Sequence, residues 1–275
     1  MSGITFTFDL EDPRPSPDLD IRFVEPTQDI LNLLHERQIT GTFFVVAKTA
    51  QLQPELIRQI HQHGHEIGLH SYDHRELVHL SETEFHKTTS KGQAILEDIC
   101  GTAVQGYRAP NFSLTANTPW VPDILAACGF SYSSSILPAA HPFHGFPGAP
   151  TMPFRWPSGV LELPAPVTRF GPTILPFLGG IYFRYLPTAL LIKRANTASH
   201  AWFYCHPYDF DPQQPYYRLH NTSHWTSVLL WLNRQRSTTK LAQLLDHNDL
   251  CWLPPFAQQI AADTFADVQT FTVRS

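Results

Sequence analysis

Two histidines stand four residues apart in His70-Ser71-Tyr72-Asp73-His74, directly after the stretch Glu66-Ile67-Gly68-Leu69. Imidazoles at that spacing on a turn or helical loop can point the same way and share one divalent cation. In a chain with 15 histidines, a pair of partly exposed loop residues is the plainer alternative. Three carboxylates, Asp9, Glu11 and Asp12, crowd the end of Ile4-Thr5-Phe6-Thr7-Phe8. Like charges so placed repel unless a cation or an arginine compensates, so they mark either a site or a solvated acidic turn. Arg108, in Tyr107-Arg108-Ala109-Pro110, carries the forked guanidinium that grips a carboxylate through two parallel bonds. His206, in Cys205-His206-Pro207-Tyr208-Asp209-Phe210-Asp211, is of the type that serves as a general acid. Cation binding and proton transfer are the chemistries these types offer.

All four groups fall at the ends of expected strands. Residues 4–8 alternate as a strand, 42–46 form a second, 66–69 a third, 105–108 a fourth, and 202–205 a late one. Between them the apolar spacing predicts helices over 27–38, 54–63, 81–99 and 120–128. Gly64, Gly101 and Gly129 stand at helix ends, and Ser81 lies three residues before Glu84 in a capping-box pattern. Residues 138–176 are dense in Pro and Gly and read as long loops with short strands such as 160–163. Closing helices are expected over 223–235 and 238–245. Strands alternating with helices favour a parallel sheet covered by helices, and in such a barrel the loops after the strand C-termini gather at one face. The fold class expected is α/β, a distorted (β/α)7-type barrel in one domain over 1–275, with 212–275 a C-terminal helical extension packed on it.

The bulk properties narrow the function. A formal net charge of −5 without a basic run gives no electrostatic footprint for nucleic acid. The four cysteines, at 100, 128, 205 and 251, are dispersed and read as buried thiols, which fits a reducing compartment. The strand pattern starts at Ile4 and leaves no room for a signal peptide, and no apolar run approaches a membrane span. The expected location is cytoplasmic, without a membrane span.

On these residues the chain resembles the polysaccharide deacetylase family, also called carbohydrate esterase family 4 or the NodB-like deacetylases. Phe8-Asp9-Leu10-Glu11-Asp12, Gly41-Thr42-Phe43-Phe44-Val45 and Gly64 to His74 are similar to its first three motifs, Tyr107-Arg108-Ala109-Pro110 to its arginine motif, and His206 to its last. Segments 130–135, 178–184 and 206–212 look like a subgroup found with exopolysaccharide biosynthesis. The resemblance implies a metal-dependent hydrolase that removes N-acetyl groups from N-acetylhexosamine residues of a bacterial polysaccharide or oligosaccharide. It implies one divalent ion, with zinc the expectation, held by His70, His74 and Asp12. Asp9 would be the base, Arg108 its partner and His206 the general acid, while Tyr107, Pro110 and Tyr208 would contact substrate.

Two departures from the family pattern stand out. The family's first motif has adjacent aspartates, whereas here Leu10 and Glu11 intervene, so Glu11 rivals Asp12 for the metal. The aspartate that orients the catalytic histidine is replaced by serines near Ser135. Tyr72, Trp120, Phe143, Tyr182 and Tyr208 offer further aromatic surfaces for sugars, with core packing the equal alternative. An amidase of the same fold acting on a small cyclic or linear amide, or a non-catalytic glycan-binding domain, are the competing readings.

Overall fold

A computed structural model describes residues 3–141, 144–171, 173–198, 200–218 and 224–273. The first half alternates strand and helix: β1 (Ile4–Leu10), α1 (Val24–His35), β2 (Gly41–Val45), α2 (Ala47–Leu52), α3 (Pro54–Gln62), β3 (Glu66–Leu69), α4 (Glu82–Cys100), β4 (Gly106–Tyr107), α5 (Val121–Ala127) and β5 (Tyr132–Ser133). The second half is less regular: β6 (Phe154–Arg155), β7 (Leu161–Glu162), β8 (Val167–Phe170), β9 (Thr173–Pro176), α6 (Gly180–Tyr185), α7 (Thr188–Thr197), β10 (Ala201–Cys205), α8 (His224–Trp231), α9 (Ser237–Leu245), β11 (Trp252–Leu253) and α10 (Phe256–Ala261).

Local chemistry explains the helices that position the sheet. Pro54 opens α3, and Leu56, Ile57 and Ile60 form its buried stripe; burying each such side chain is worth roughly 1.5–3 kcal/mol. The Ser81 hydroxyl accepts from the Glu84 backbone N–H at the start of α4, and Gly101 ends it in the left-handed conformation, φ 70°. The expected helix ends therefore stand within a few residues. Helices α2, α6, α7 and α10 were not among those expected, being short or bounded by Pro and Gly.

The main sheet runs β10-β1-β2-β3-β4-β5-β7-β6 and is parallel except for β6 against β7. Its path ends at β10 and β6, so the barrel distortion takes the form of a curled half barrel. Alternation along each strand sorts the side chains into two layers. Phe6, Phe8, Phe43, Val45, Phe203 and Cys205 pack into the larger apolar cluster that includes the helices. The intervening residues Phe44, Trp202 and Tyr204 form a second cluster on the other face. In register, Thr7 lies beside Tyr204 and Asp9 beside Phe44, so Thr7 and Asp9 share the face of the second cluster.

The C-terminal stretch does more than cap the barrel with helices. β11 pairs in parallel with Ile4 and Thr5 of β1, and the Phe271 N–H donates to the Arg155 carbonyl. No helix among the described residues is long and apolar enough to cross a membrane.

Candidate active site

The period-2 alternation of β1 settles which carboxylates share a side. Asp9 and Glu11 project to one face and Leu10 to the apolar cluster behind. Asp12, the expected metal ligand, instead takes a two-oxygen grip from Nε of Arg14 at 2.9 and 2.8 Å. The rival is the carboxylate that arrives: Glu11, His70 and His74 each offer a donor atom, all within 4.8 Å of one another. Glu11 contacts Nε2 of His74 directly and stands 3.9 Å from Nε2 of His70.

Backbone geometry aims both imidazoles. His70 follows β3, and its Nδ1 is 2.9 Å from the Arg108 carbonyl oxygen. Bonded there, Nδ1 carries the proton and Nε2 is left for the cluster, the outer partner typical of a metal-binding histidine. Ser71 and His74 both adopt positive φ, 64° and 61°, and the His74 N–H donates to the Ser71 hydroxyl at 2.8 Å. Two strained non-glycine residues in one turn, tied to each other, turn the His74 ring back over Glu11.

Charge follows placement. Burial holds the His70 imidazole down to about 4, only partly offset by Asp9 and Glu11, so the ring is neutral at pH 7. Burial disfavours charge on Glu11 too, yet the His74 charge and hydrogen bond, with His206 and His70, keep it well below the usual carboxylate range. His74 is pushed up despite burial by that contact with Glu11. Neutral imidazole and ionised carboxylate are what a divalent ion of the zinc type requires, so the donor set fits one. For His74 Nε2 to serve as a donor, the proton that favours its contact with Glu11 would have to leave.

Beside the cluster lies an ionic pair with no part in it. Arg108, fully buried, donates from Nη1 to Asp9 at 2.6 Å and to Thr7 Oγ1 at 2.9 Å. Its guanidinium carbon lies 4.0 and 4.3 Å from the ring centres of Phe44 and Trp202. The serine run holds this arginine loop rather than a histidine: Ser134 Oγ accepts from Arg108 Nη2 at 3.2 Å and Ser135 Oγ from the Ala109 N–H at 2.9 Å.

The histidine-orienting carboxylate is Asp209, and sequence reasoning missed it. His206 leaves β10 into a single turn over Pro207–Phe210, which brings Asp209 Oδ2 under it. That oxygen meets Nδ1 of His206 at 2.9 Å and accepts from the His206 backbone N–H at 3.0 Å. Burial opposes charge on the ring, but Asp209, with Glu11 and Asp9, outweighs it and raises His206 to about 9. Its Nε2 lies 3.9 Å from Asp9 Oδ2. The i, i+3 spacing across Pro207 was the available signal.

The expected substrate contacts divide. Tyr208 is half-buried and stacks on His206 with centroids 4.6 Å apart and planes 8° from parallel. Tyr107 and Pro110 are buried; the Tyr107 ring packs edge-on against Phe85 and Phe130 in the core, which offers no ring surface for the expected substrate contact. Trp120 packs on Phe85, and the Tyr72 ring lies under the ammonium groups of Lys48 and Lys91. Phe143 lies outside the described residues.

Fold and site together define a class: curled α/β half barrels with a donor cluster at the strand C-termini, flanked by an aspartate and a histidine. Residues 2–132 match the family described as polysaccharide deacetylase, and residues 134–255 a domain of unknown function, DUF3473. The likeness to the polysaccharide deacetylases thus rests on residues 2–132, the part that carries Asp9, Glu11, His70, His74 and Arg108.

Among curated proteins it is 30% identical over 114 residues to a peptidoglycan-N-acetylglucosamine deacetylase of Bacillus cereus, covering 42% of this chain and 38% of the relative. It is 34% identical over 110 residues to a chitooligosaccharide deacetylase of Azorhizobium caulinodans, covering 40% and 48%. The chain thus spans less than half the length of these relatives. A crystal structure from Mycobacterium smegmatis, assigned to the polysaccharide deacetylases, superposes with a TM-score of 0.66 at 22% identity, covering 99% of this chain and 93% of that one. At that identity the likeness concerns the fold.

Proposed function

We propose that the chain is a divalent-metal-dependent hydrolase that removes N-acetyl groups from N-acetylhexosamine residues of a bacterial exopolysaccharide, releasing acetate. The observation that carries this reading is the order of groups across the site: Glu11, His70 and His74 as cation donors, with Asp9 on Arg108 and His206 on Asp209 beside them. The activities of the relatives, on peptidoglycan and chitooligosaccharide, favour an acetamido sugar as substrate.

Glu11, His70 and His74 would hold the ion, with zinc the expectation from two imidazoles and a carboxylate. When bound, it would supply Lewis-acid polarisation of the acetamide carbonyl and make water more acidic. Asp9 accepts the proton of the water that attacks the carbonyl carbon, and Arg108 fixes which oxygen of Asp9 is presented, since Oδ1 is occupied. The C–N bond then breaks as Nε2 of His206 delivers its proton to the departing nitrogen, because an unprotonated amine anion is too basic to leave. Acetate and a free amino sugar result, and Asp209 stabilises the histidine while it is charged. Base and acid sit on one face, with Asp9 Oδ2 3.9 Å from His206 Nε2.

The test is acetate release from N-acetylglucosamine oligomers by protein stripped with a chelator and reloaded with zinc. Release that depends on the ion is the expected result. Hydrolysis of cyclic ureides without acetate release would replace this reading with the small-amide one.

A further inference from the structure

Behind Asp209 lie two arginines from distant parts of the second half. Arg184, in α6, and Asp209 have fully buried side chains, and Arg184 Nε stands 3.1 Å from Asp209 Oδ1. The N–H does not point straight at that oxygen, so the contact is an ion pair rather than a hydrogen bond. Arg184 is anchored by its own bond from Nη1 to the Leu232 carbonyl at 2.7 Å, and Asn233 Nδ2 caps the Arg184 carbonyl at 2.7 Å. Arg234 is 7% exposed, donates from Nη2 to the Leu230 carbonyl at 2.9 Å, and lies 5.3 Å from the centre of the Tyr208 ring. Tyr208 in turn stacks on His206.

The sequence builds this deliberately close approach. A Cβ on Gly179 would sit 2.1 Å from the Tyr204 ring, and Gly180 adopts φ +48°, so only glycines let α6 begin against β10. That contact, with the Tyr204 N–H donating to the Leu178 carbonyl at 3.0 Å, places Arg184 one turn later under the carboxylate.

We propose that Arg184 is a positioning residue for the proposed reaction: it pins Oδ1 of Asp209 so that Oδ2 is held for Nδ1 of His206, which leaves Nε2 facing Asp9. The proposal rests on the deacetylase reading for its kinetic arm and on geometry for its other. Residues 134–255, the part matching a domain of unknown function, then supply the proton-donor side of the site: His206, Asp209 and Arg184 all lie within them. A buried carboxylate with one oxygen unfixed could rotate away from the histidine. Desolvation by the surrounding core makes loss of one partner of such a pair costly, so a stability change alone would not distinguish positioning from packing.

The groups facing His206 and Asp209 are Asp9 from β1, Glu11 beyond it, His74 from the loop after β3, Tyr208 from its own turn, Arg184 from α6 and Arg234 beyond α8. The experiment uses the zinc-loaded full chain as wild type, Arg184→Gln, Arg184→Lys, Asp209→Asn and the double variant Arg184→Gln/Asp209→Asn. Acetate release and the Nδ1–H proton resonance of His206 are both read. Arg184→Gln should lower kcat roughly 10-fold or more with KM and zinc content held, and should weaken or shift the Nδ1–H resonance; Arg184→Lys should recover part of both. In the Asp209→Asn background, Arg184→Gln should have little further effect on kcat, because residues acting through one another are not additive. A folded Arg184→Gln protein with wild-type kcat and an unaltered Nδ1–H resonance would overturn the proposal, as would fully additive losses. If wild type releases no acetate, the deacetylase reading fails while the resonance still decides the positioning role.

Discussion

The two sides of the site solve opposite electrostatic problems. On the side built from β1 and β3, Asp9 and Glu11 face a single guanidinium, Arg108, and two imidazoles of which His70 is neutral. Its charges balance only while His74 keeps a proton; with His74 neutral, as a metal ligand must be, Glu11 is left without a counter-charge. On the side built after β10, the one carboxylate of Asp209 meets His206, Arg184 and the neighbouring Arg234. It is rich in positive charge, and Asp209 is held below the usual carboxylate range despite a burial that opposes ionisation. The first arrangement calls for a cation from outside; the second stores a proton and supports it with fixed charges of its own.

The largest effects should come from breaking the first side. His70→Ala and Glu11→Gln should abolish stoichiometric zinc and bring acetate release to background, whereas Asp12→Asn should keep the ion, since Asp12 is committed to Arg14. Elemental analysis of the purified variants separates these outcomes.

Next in size are the groups proposed to transfer protons. His206→Ala and Asp9→Asn should each lower kcat by about 10² to 10⁴-fold, the usual worth of general acid or base help, while zinc content stays near wild type. Loss of the ion from both would show that the two sides are not separable.

A smaller and more diagnostic effect concerns pH. In metal-free protein the His206 midpoint, about 9, lies above the ordinary histidine value. The stability it contributes is therefore fully present below that ordinary value and lost as pH rises through about 9. Asp209→Asn removes the groups' main attraction, so the NMR midpoint of His206 should fall and the alkaline decline in Tm should flatten. Zinc, as a nearby cation, should lower the wild-type midpoint as well. An unchanged midpoint in Asp209→Asn would contradict the pairing.

The smallest effect is expected from Tyr107→Phe. The Tyr107 hydroxyl is buried and has no hydrogen-bond partner among the described residues. Its removal should leave KM unchanged and stability within about 1 kcal/mol of wild type, or raise it, since an unpaired buried hydroxyl is a liability. A several-fold rise in KM would restore the substrate contact that the motif suggested.

Legibility in the sequence tracked the same division. The strands β1, β2, β3 and β10, the capped helix α4 and the pair His70 and His74 could be read because each is specified within a few neighbouring residues. Arg108 and Asp9, which meet at 2.6 Å, could be brought together in the reading because both sit at strand ends of one parallel sheet. The choice between Glu11 and Asp12 was open in the motif, although continuing the β1 alternation by one step favours Glu11 on Asp9's side. Asp209 was hidden by the serine run, which serves Arg108 and Ala109 instead. Arg184 could not be read at all: it reaches Asp209 from 25 residues away only because Gly179 and Gly180 let α6 close on Tyr204.

The most direct test is an anomalous-scattering map from a zinc-loaded crystal. The account predicts one strong peak at roughly 2.0–2.2 Å from His70 Nε2, a His74 ring nitrogen and a Glu11 oxygen, with Asp9 outside the first ring of ligands. A peak on Asp12, or none between Glu11 and the two histidines, would contradict it.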